Sequence, residues 1–186
     1  MRIIAGSLGG RNFIAPKGHK TRPMSEKVRG ALFNALGDIE GLTVLDAFSG
    51  SGAIGFEALS RGAKQVTAID SDKDAQLSIC QNITSLGVGE KMQLISASTN
   101  VWLRTSKDVF DIVICDPPYN NFQTTVLVKL AERTKAHGTL TLSLPPWADV
   151  NLGNGFRLLS RKAYGDASLL FYRRLGGREQ SRESTV

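Results

Sequence analysis

From Gly41 onward the sequence alternates between strand-like and helix-like patterns, and this alternation limits the fold more than any other feature. Strands are predicted at Thr43–Ala47, Gln65–Asp70, Lys91–Ser96, Phe110–Cys115 and Thr139–Leu144, with helices near 53–61, 72–86, 98–105 and 122–136. Runs such as Ile112-Val113-Ile114-Cys115 are apolar without interruption, which suits parallel strands covered on both faces. Strand and helix in strict turn build a doubly wound α/β sheet. The alternation stops at Phe156–Tyr164 and Ser168–Arg173, two strand-like runs joined by Gly165-Asp166-Ala167. That link is too short for a helical crossover, so the pair is expected to form an antiparallel hairpin. The expected fold is therefore a mostly parallel, seven-stranded, Rossmann-like sheet ending in an antiparallel hairpin.

Upstream, residues 2–5 and 11–14 read as short strands separated by Gly6, Gly9 and Gly10, a small N-terminal β-hairpin extension. Ser25 is a good N-cap for a helix over Glu26–Leu36, which Gly37 ends. The expected organisation is an N-terminal hairpin and helix over 1–40, the α/β domain over 41–174, and a polar, disordered tail over 175–186.

Charge is uneven along the chain. Residues 1–40 hold seven Lys/Arg against three Asp/Glu, residues 41–154 nine against eleven, and residues 155–186 seven against three. A neutral-to-acidic body between basic ends suits a small-molecule site flanked by polyanion-binding surface. No apolar run approaches the roughly 20 residues of a membrane span, and the apolar stretch at the N-terminus is too short for a signal peptide. A cytoplasmic protein without membrane contact is expected. Cys80 and Cys115 lack metal-ligand spacing and read as buried reduced thiols. His19 and His137 are isolated near glycines and read as loop residues, so no metal site is expected.

The first chemical motif is Asp46-Ala47-Phe48-Ser49-Gly50-Ser51-Gly52-Ala53-Ile54-Gly55, which follows a strand and opens a helix. Gly50, Gly52 and Gly55 satisfy the dinucleotide pattern G-x-G-x-x-G, and Asp70 ends the next strand, placed for a ribose. Asp46 discriminates between ligands. A dinucleotide site aims backbone N–H groups and a helix N-terminus at a pyrophosphate, and a carboxylate in that turn repels phosphate. S-adenosylmethionine has no phosphate. Its sulfonium and ammonium both favour a nearby carboxylate. Phe48, Ser49, Gly50 and Gly52 of the turn, with Asp46, Asp70 and Ser71, are the expected cofactor-binding residues.

The second motif, Asp116-Pro117-Pro118-Tyr119, directly follows the strand ending at Cys115. Ligands of open parallel sheets gather at the carboxyl ends of the strands. An aromatic exocyclic amine is a poor nucleophile because its lone pair is delocalised into the ring. Two acceptors at its N–H groups, the Asp116 carboxylate and the Pro117 carbonyl, draw the nitrogen toward sp³ character. The prolines restrict the backbone and hold these acceptors in place before the base arrives. Tyr119 supplies a flat face for stacking. Asp116, Pro117, Pro118 and Tyr119 are the expected catalytic residues. Phe122 is a weaker candidate for shaping the base pocket, Trp147 edges either the cleft or the core, and Trp102 reads as core.

Taken together, these residues resemble the RsmD-type 16S ribosomal RNA guanine-N2 methyltransferases, a class I S-adenosylmethionine-dependent family. The resemblance runs from Arg2 to about Arg174. It includes Arg2-Ile3-Ile4-Ala5-Gly6, Gly10-Arg11, Arg22-Pro23, Val28-Arg29-Gly30-Ala31-Leu32-Phe33-Asn34 and Glu57-Ala58-Leu59-Ser60-Arg61-Gly62-Ala63. The last two stretches are more specific than Asp-Pro-Pro-Tyr, which many amino-methyltransferases share. The resemblance implies methylation of a guanine in 16S rRNA, free or within the 30S subunit, and an RNA-contacting N-terminal arm. Arg11, Arg22 and Arg29 are then the RNA-side candidates. Ser98, which stands where the family usually has an Asp that reads the adenine amino group, is by that resemblance a further expected cofactor-binding residue, and Met24 stands where the family usually has Thr. A monomer is the default expectation.

Three alternatives stay open at this level. An adenine-N6 methyltransferase presents the same chemistry on a different base. A nicotinamide-dependent oxidoreductase needs the glycine turn to hold pyrophosphate despite Asp46. A non-catalytic RNA-binding assembly factor needs only the fold.

Overall fold

The computed structural model describes residues 1–17 and 23–177. Its elements follow the order α1 (Glu26–Leu36), β1 (Thr43–Asp46), α2 (Ala53–Ser60), β2 (Gln65–Asp70), α3 (Lys73–Leu86), β3 (Met92–Ser96), α4 (Thr99–Thr105), β4 (Phe110–Cys115), α5 (Thr124–Ala131), β5 (Thr134–Leu144), β6 (Phe156–Tyr164) and β7 (Ala167–Arg174). The strands form one seven-stranded sheet ordered β3-β2-β1-β4-β5-β7-β6. β1 to β5 run parallel, and β7 lies antiparallel between β5 and β6. This is the expected Rossmann-like sheet with its closing hairpin.

Two apolar clusters cover the sheet. One gathers Val44, Val66, Ala68, Ile112 and Ile114 with Phe56 of α2, Ile79 of α3, and Leu32 and Phe33 of α1. The other gathers Leu45, Ile69, Val113, Leu140 and Leu142 with Trp102 of α4 and Leu127 and Leu130 of α5. Alternate residues of β1 and β4 thus face opposite layers, and both layers are apolar, as unbroken hydrophobic runs require. Trp102 is 5% exposed, a core residue.

The N-terminal arm forms the expected antiparallel hairpin, in a short form. Its two segments pair through the antiparallel bridge Arg2↔Asn12 and through backbone hydrogen bonds from Ile3 N–H to the Arg11 carbonyl, from Phe13 N–H to the Met1 carbonyl and from Gly10 N–H to the Ile3 carbonyl, while the backbone groups of the turn between them go to α2. Glu57 of α2 accepts the N–H groups of Ile4 (2.7 Å) and Ala5 (3.1 Å). Ser60 Oγ accepts from Leu8 N–H and donates to the Ala5 carbonyl, and the Ser60 carbonyl accepts from Ser7 N–H. Ile3 and Phe13 join the same apolar cluster as α1, α2 and α3. The arm is packed onto the sheet domain rather than projecting from it.

Three expectations shift. Helix α5 stops at Ala131 rather than near 136, and β5 begins at Thr134. Pairing with β4 slips between Phe110↔Thr134 and Ile112↔Thr139, with His137 at φ 60° inside the irregularity. Lys135 spans it by pairing with Asp111 at 2.9 Å. Regular pairing resumes at Thr139, where the strand pattern becomes legible. Cys80 is exposed, while Cys115 is buried. Leu175, the first residue of the expected tail, is 2% exposed and donates its N–H to the Gly155 carbonyl. Residues 178–186, like His19, lie outside the described residues.

Candidate active site

The glycine turn after β1 is fixed from three sides. Ser49 N–H donates to the Ile69 carbonyl of β2, Ala47 N–H donates to the Ile114 carbonyl of β4, and Thr99 Oγ1 donates to the Ala47 carbonyl at 2.8 Å. Gly50 N–H donates to Asp70 Oδ2 at 2.6 Å, which ties the turn to the end of β2. Gly52 has φ 74°, and a Cβ there would lie 2.7 Å from the Phe56 ring. Gly55, within α2, faces β2 and β3. A Cβ there would meet Met92 Cε at 2.8 Å and Val66 Cγ1 at 3.2 Å. Gly52 therefore serves the turn, and Gly55 serves close helix–sheet packing.

Asp46 is fully buried at the end of β1. Its Oδ2 accepts from Gly55 N–H at 3.2 Å, and its Oδ1 has no hydrogen-bond partner. Burial pushes this carboxyl up to about 7, with a further contribution from the nearby Asp116. A buried carboxylate oxygen without a donor is costly, and a cationic ligand seated over the turn would satisfy it. Asp70 is also pushed up by burial, against the pull of the Asp72 and Gly50 N–H groups. Each Asp70 oxygen accepts one backbone N–H, which leaves each a second lone pair for a ribose hydroxyl.

A cleft of about 280 Å³ opens beside this turn. Phe48, Asp70, Ser71 and Ser98 line it, joined across the gap by Pro118 and Phe122. Four of the expected cofactor residues thus share one cavity with a member of the Asp-Pro-Pro-Tyr motif. The buried Ser49 acts from behind the turn, its hydroxyl donating to the Asp46 carbonyl. Ser98 Oγ serves as N-cap of α4, accepting from Val101 N–H. Asn100, Gln123 and Val126 also line the cleft. Their side chains carry no motif, and only the meeting of α4 with the segment after β4 assembles them.

The Asp-Pro-Pro-Tyr segment leaves the end of β4, which lies parallel to and beside β1 with Asp46 opposite Ile114. Asp116 is partly buried. Burial pushes its carboxyl up to about 6, and a hydrogen bond from the Ser143 side chain pulls it back. The Tyr119 hydroxyl lies 2.8 Å from Ser143 Oγ on β5. This chain of hydroxyls anchors the tyrosine ring and the carboxylate to one strand end. Ser143, 1% exposed, carried no signal in the sequence, because its role depends on β5 lying next to β4.

The three expected RNA-side arginines separate. Arg29 is 0% exposed. It donates to the Arg2 carbonyl at 2.6 Å and lies 3.6 Å from Glu57, which also pairs with Arg61 at 2.8 Å. Arg29 is therefore a buried strut between the arm, α1 and α2, and the expectation that it contacts RNA is corrected. Arg11 is exposed, but its guanidinium donates to the Ser85 and Leu86 carbonyls at the end of α3, a favourable place for a cation. Arg22 lies outside the described residues.

Comparison with known proteins agrees with this architecture. The family model described as "Conserved hypothetical protein 95" matches residues 1–173. The chain is 37% identical to "Ribosomal RNA small subunit methyltransferase D" of Haemophilus influenzae over 64% of this chain and 64% of that relative's length. It is 35% identical to the protein of the same name from Escherichia coli strain K12, over 64% of this chain and 60% of the relative. The solved structure of Escherichia coli yhhF superimposes with a TM-score of 0.85 at 27% identity, covering 94% of this chain and 98% of that one. The family match over nearly the whole chain assigns the protein: it belongs to the RsmD-type methyltransferase family.

Proposed function

We propose that the protein transfers the methyl group of S-adenosylmethionine to the exocyclic N2 amine of a guanine in 16S ribosomal RNA, either free or in the 30S subunit or an assembly intermediate. The observation that carries this reading is the adjacency of β1 and β4. Their parallel pairing puts the Asp46 turn and the Asp116 loop side by side at one edge of the sheet. Loops on opposite edges could not pass a methyl group between them.

S-adenosylmethionine, when bound, supplies an electrophilic methyl group on a positively charged sulfur. Asp46 Oδ1 and the turn around Gly50 and Gly52 suit its cationic amino-acid end, Asp70 its ribose, and the wall of Phe48, Ser71 and Ser98 its adenine. Asp116 and the Pro117 carbonyl accept the two N–H groups of the guanine amine and hold its lone pair toward the methyl carbon. Tyr119, anchored on Ser143, stacks on the base. Transfer would form the new C–N bond as the methyl–sulfur bond breaks, its electron pair staying on sulfur to leave neutral S-adenosylhomocysteine, and the amine proton would pass to Asp116 or to water. Rigidity supplies most of the advantage, since the acceptors stand in place before the base arrives.

The names of the rRNA methyltransferase relatives support an RNA substrate. The basic N-terminal 1–40 region and the basic C-terminal region support contact with RNA phosphates, with Arg11 and Arg22 as candidate contacts. Among the described residues no helix is long and apolar enough to cross a membrane, and a cytoplasmic monomer fits a ribosomal substrate.

The test is nucleoside mass spectrometry after incubation with S-adenosylmethionine and either unmodified 30S subunits or free 16S rRNA. N2-methylguanosine is expected. N6-methyladenosine in its place would overturn the substrate, and no methylated nucleoside from either RNA would overturn the activity.

A further inference from the structure

Trp147 is the most exposed large hydrophobic residue described, at 78%. It follows Pro145-Pro146, directly after β5 ends at Leu144. Its ring lies 6.3 Å from that of Phe122, centroid to centroid, at 30° between planes. Phe122 stands three residues after Tyr119 and also lines the cofactor cleft. The indole therefore continues an aromatic surface outward from the site where the target base is proposed to stack.

The loop that carries Trp147 is held firmly although the ring is not covered. Arg161 of β6 donates to the Pro146 carbonyl at 2.6 Å and to the Ala148 carbonyl at 3.3 Å. Ala148 N–H donates to the Pro145 carbonyl. Ala148 and Val150 are buried, each 4% exposed. A tryptophan held in water by a braced loop presents a fixed, flat apolar face to whatever docks there. These bonds bring the exposed Arg161, and with it a positive charge, to the backbone on both sides of Trp147. A π-face next to a cation, at the rim of a base-modifying site, matches single-stranded nucleic acid: a base for the ring and a phosphate for the guanidinium.

We propose that Trp147 is a substrate-positioning residue that stacks on the nucleobase next to the target guanine, with Arg161 both bracing the loop and facing the adjoining phosphate. The proposal rests on the RNA-methyltransferase reading above and adds a subsite to it. Stacking on the neighbour leaves the target base free to turn into the Asp116 pocket.

The experiment compares wild type with Trp147→Ala, Trp147→Leu and Trp147→Phe on unmodified 30S subunits. It measures kcat and KM for the subunit, the dissociation constant for S-adenosylhomocysteine, and the melting temperature. Trp147→Ala is expected to lose about 5- to 160-fold in kcat/KM for the subunit, the range of one base–aromatic stack. Cofactor affinity and melting temperature are expected to stay at wild-type values. Trp147→Phe is expected to recover most of the loss and Trp147→Leu little of it. A single-stranded oligoribonucleotide is also expected to quench the long-wavelength tryptophan emission of wild type but not that of Trp147→Phe, whose remaining Trp102 is buried. Wild-type kcat/KM in Trp147→Ala, full activity in Trp147→Leu, or an equal loss of cofactor affinity would each overturn the proposal. Transfer by wild type separates the two readings. If wild type methylates and Trp147→Ala does so equally, only this subsite fails. If wild type does not methylate, the activity fails and the subsite with it.

Discussion

The Tyr119 hydroxyl lies 2.8 Å from Ser143 Oγ, so the aromatic ring after Asp116 is anchored to the end of the neighbouring strand β5. Ser143 also holds down the carboxyl of Asp116. One buried hydroxyl thus orients the proposed stacking ring and tunes the proposed acceptor. Ser143→Ala is expected to cost about 1 kcal/mol of stability and about fivefold in kcat. It is also expected to move the acidic limb of the kcat–pH profile upward, because Asp116 loses its donor. Urea melts and a pH series check both. An unchanged profile would remove Ser143 from the site.

Burial holds both acidic groups of the site above the ordinary carboxylate range, Asp116 at about 6 and Asp46 at about 7. Methyl transfer needs Asp116 ionised, so kcat is expected to fall as pH drops through about 6. Asp46 also affects stability. Its folded value is raised, so its favourable contribution is full below the unfolded value of 3.8 and is lost as pH rises through about 7. Asp46→Asn does not titrate there. Without cofactor, it is expected to gain stability relative to wild type from pH 5 to pH 8, and to bind S-adenosylhomocysteine more weakly. Urea melts at the two pH values and calorimetry at pH 8 check this. A variant less stable at pH 8 than at pH 5, relative to wild type, would contradict it.

Glu57 joins three parts of the molecule. It pairs with Arg29 and Arg61 and accepts the Ile4 and Ala5 N–H groups. Glu57→Gln leaves the Arg29 guanidinium buried without its counter-charge and is expected to cost about 3–5 kcal/mol. Circular dichroism with urea would measure it. A loss below about 1 kcal/mol, the level of a surface pair, would show that the arm docks by other means.

The glycines of the turn should separate in their tolerance. Gly52 combines φ 74° with a rigid aromatic ring 2.7 Å from a would-be Cβ. Gly52→Ala is expected to lower stability by about 1–3 kcal/mol and to weaken cofactor binding. Gly55 lies inside α2, where alanine is favoured by about 1 kcal/mol, and its tightest neighbour is the end of the flexible Met92 side chain. Gly55→Ala is expected to change stability by less than about 1 kcal/mol. Melting temperatures of the two variants give the ranking directly, and a reversed order would contradict it.

The sheet was legible because its strands are short unbroken apolar runs and its helices carry local caps. Ser25 accepts from Val28 N–H, the cap expected from the sequence, and Asp72, which was expected inside the helix, caps α3 by accepting from Asp74 N–H. The end of α5 was not legible, because Thr134–His137 lacks a strand pattern and extends only by irregular pairing with β4. Arg29 misled because a charged residue ordinarily lies at the surface, and its partner Glu57 is far away in sequence. Separation in sequence also hid Ser143 and the tilted contact of Phe122 with Trp147. The places of Asp46, Asp70 and Asp116 were readable because the first two end strands of one parallel sheet and the third directly follows one, which brings all three to a common edge.

The most direct test of the proposed transfer between the two loops uses Asp116→Ala at saturating S-adenosylmethionine with unmodified 30S subunits in single turnover. Calorimetry run alongside should show S-adenosylhomocysteine affinity within about twofold of wild type, since Asp46 and Asp70 are untouched. The transfer rate should fall by about 10²- to 10³-fold, the loss associated with one preorganised charge-stabilising group. Transfer at the wild-type rate with intact cofactor binding would contradict the assignment, because the amine would then be gripped somewhere other than at the end of β4.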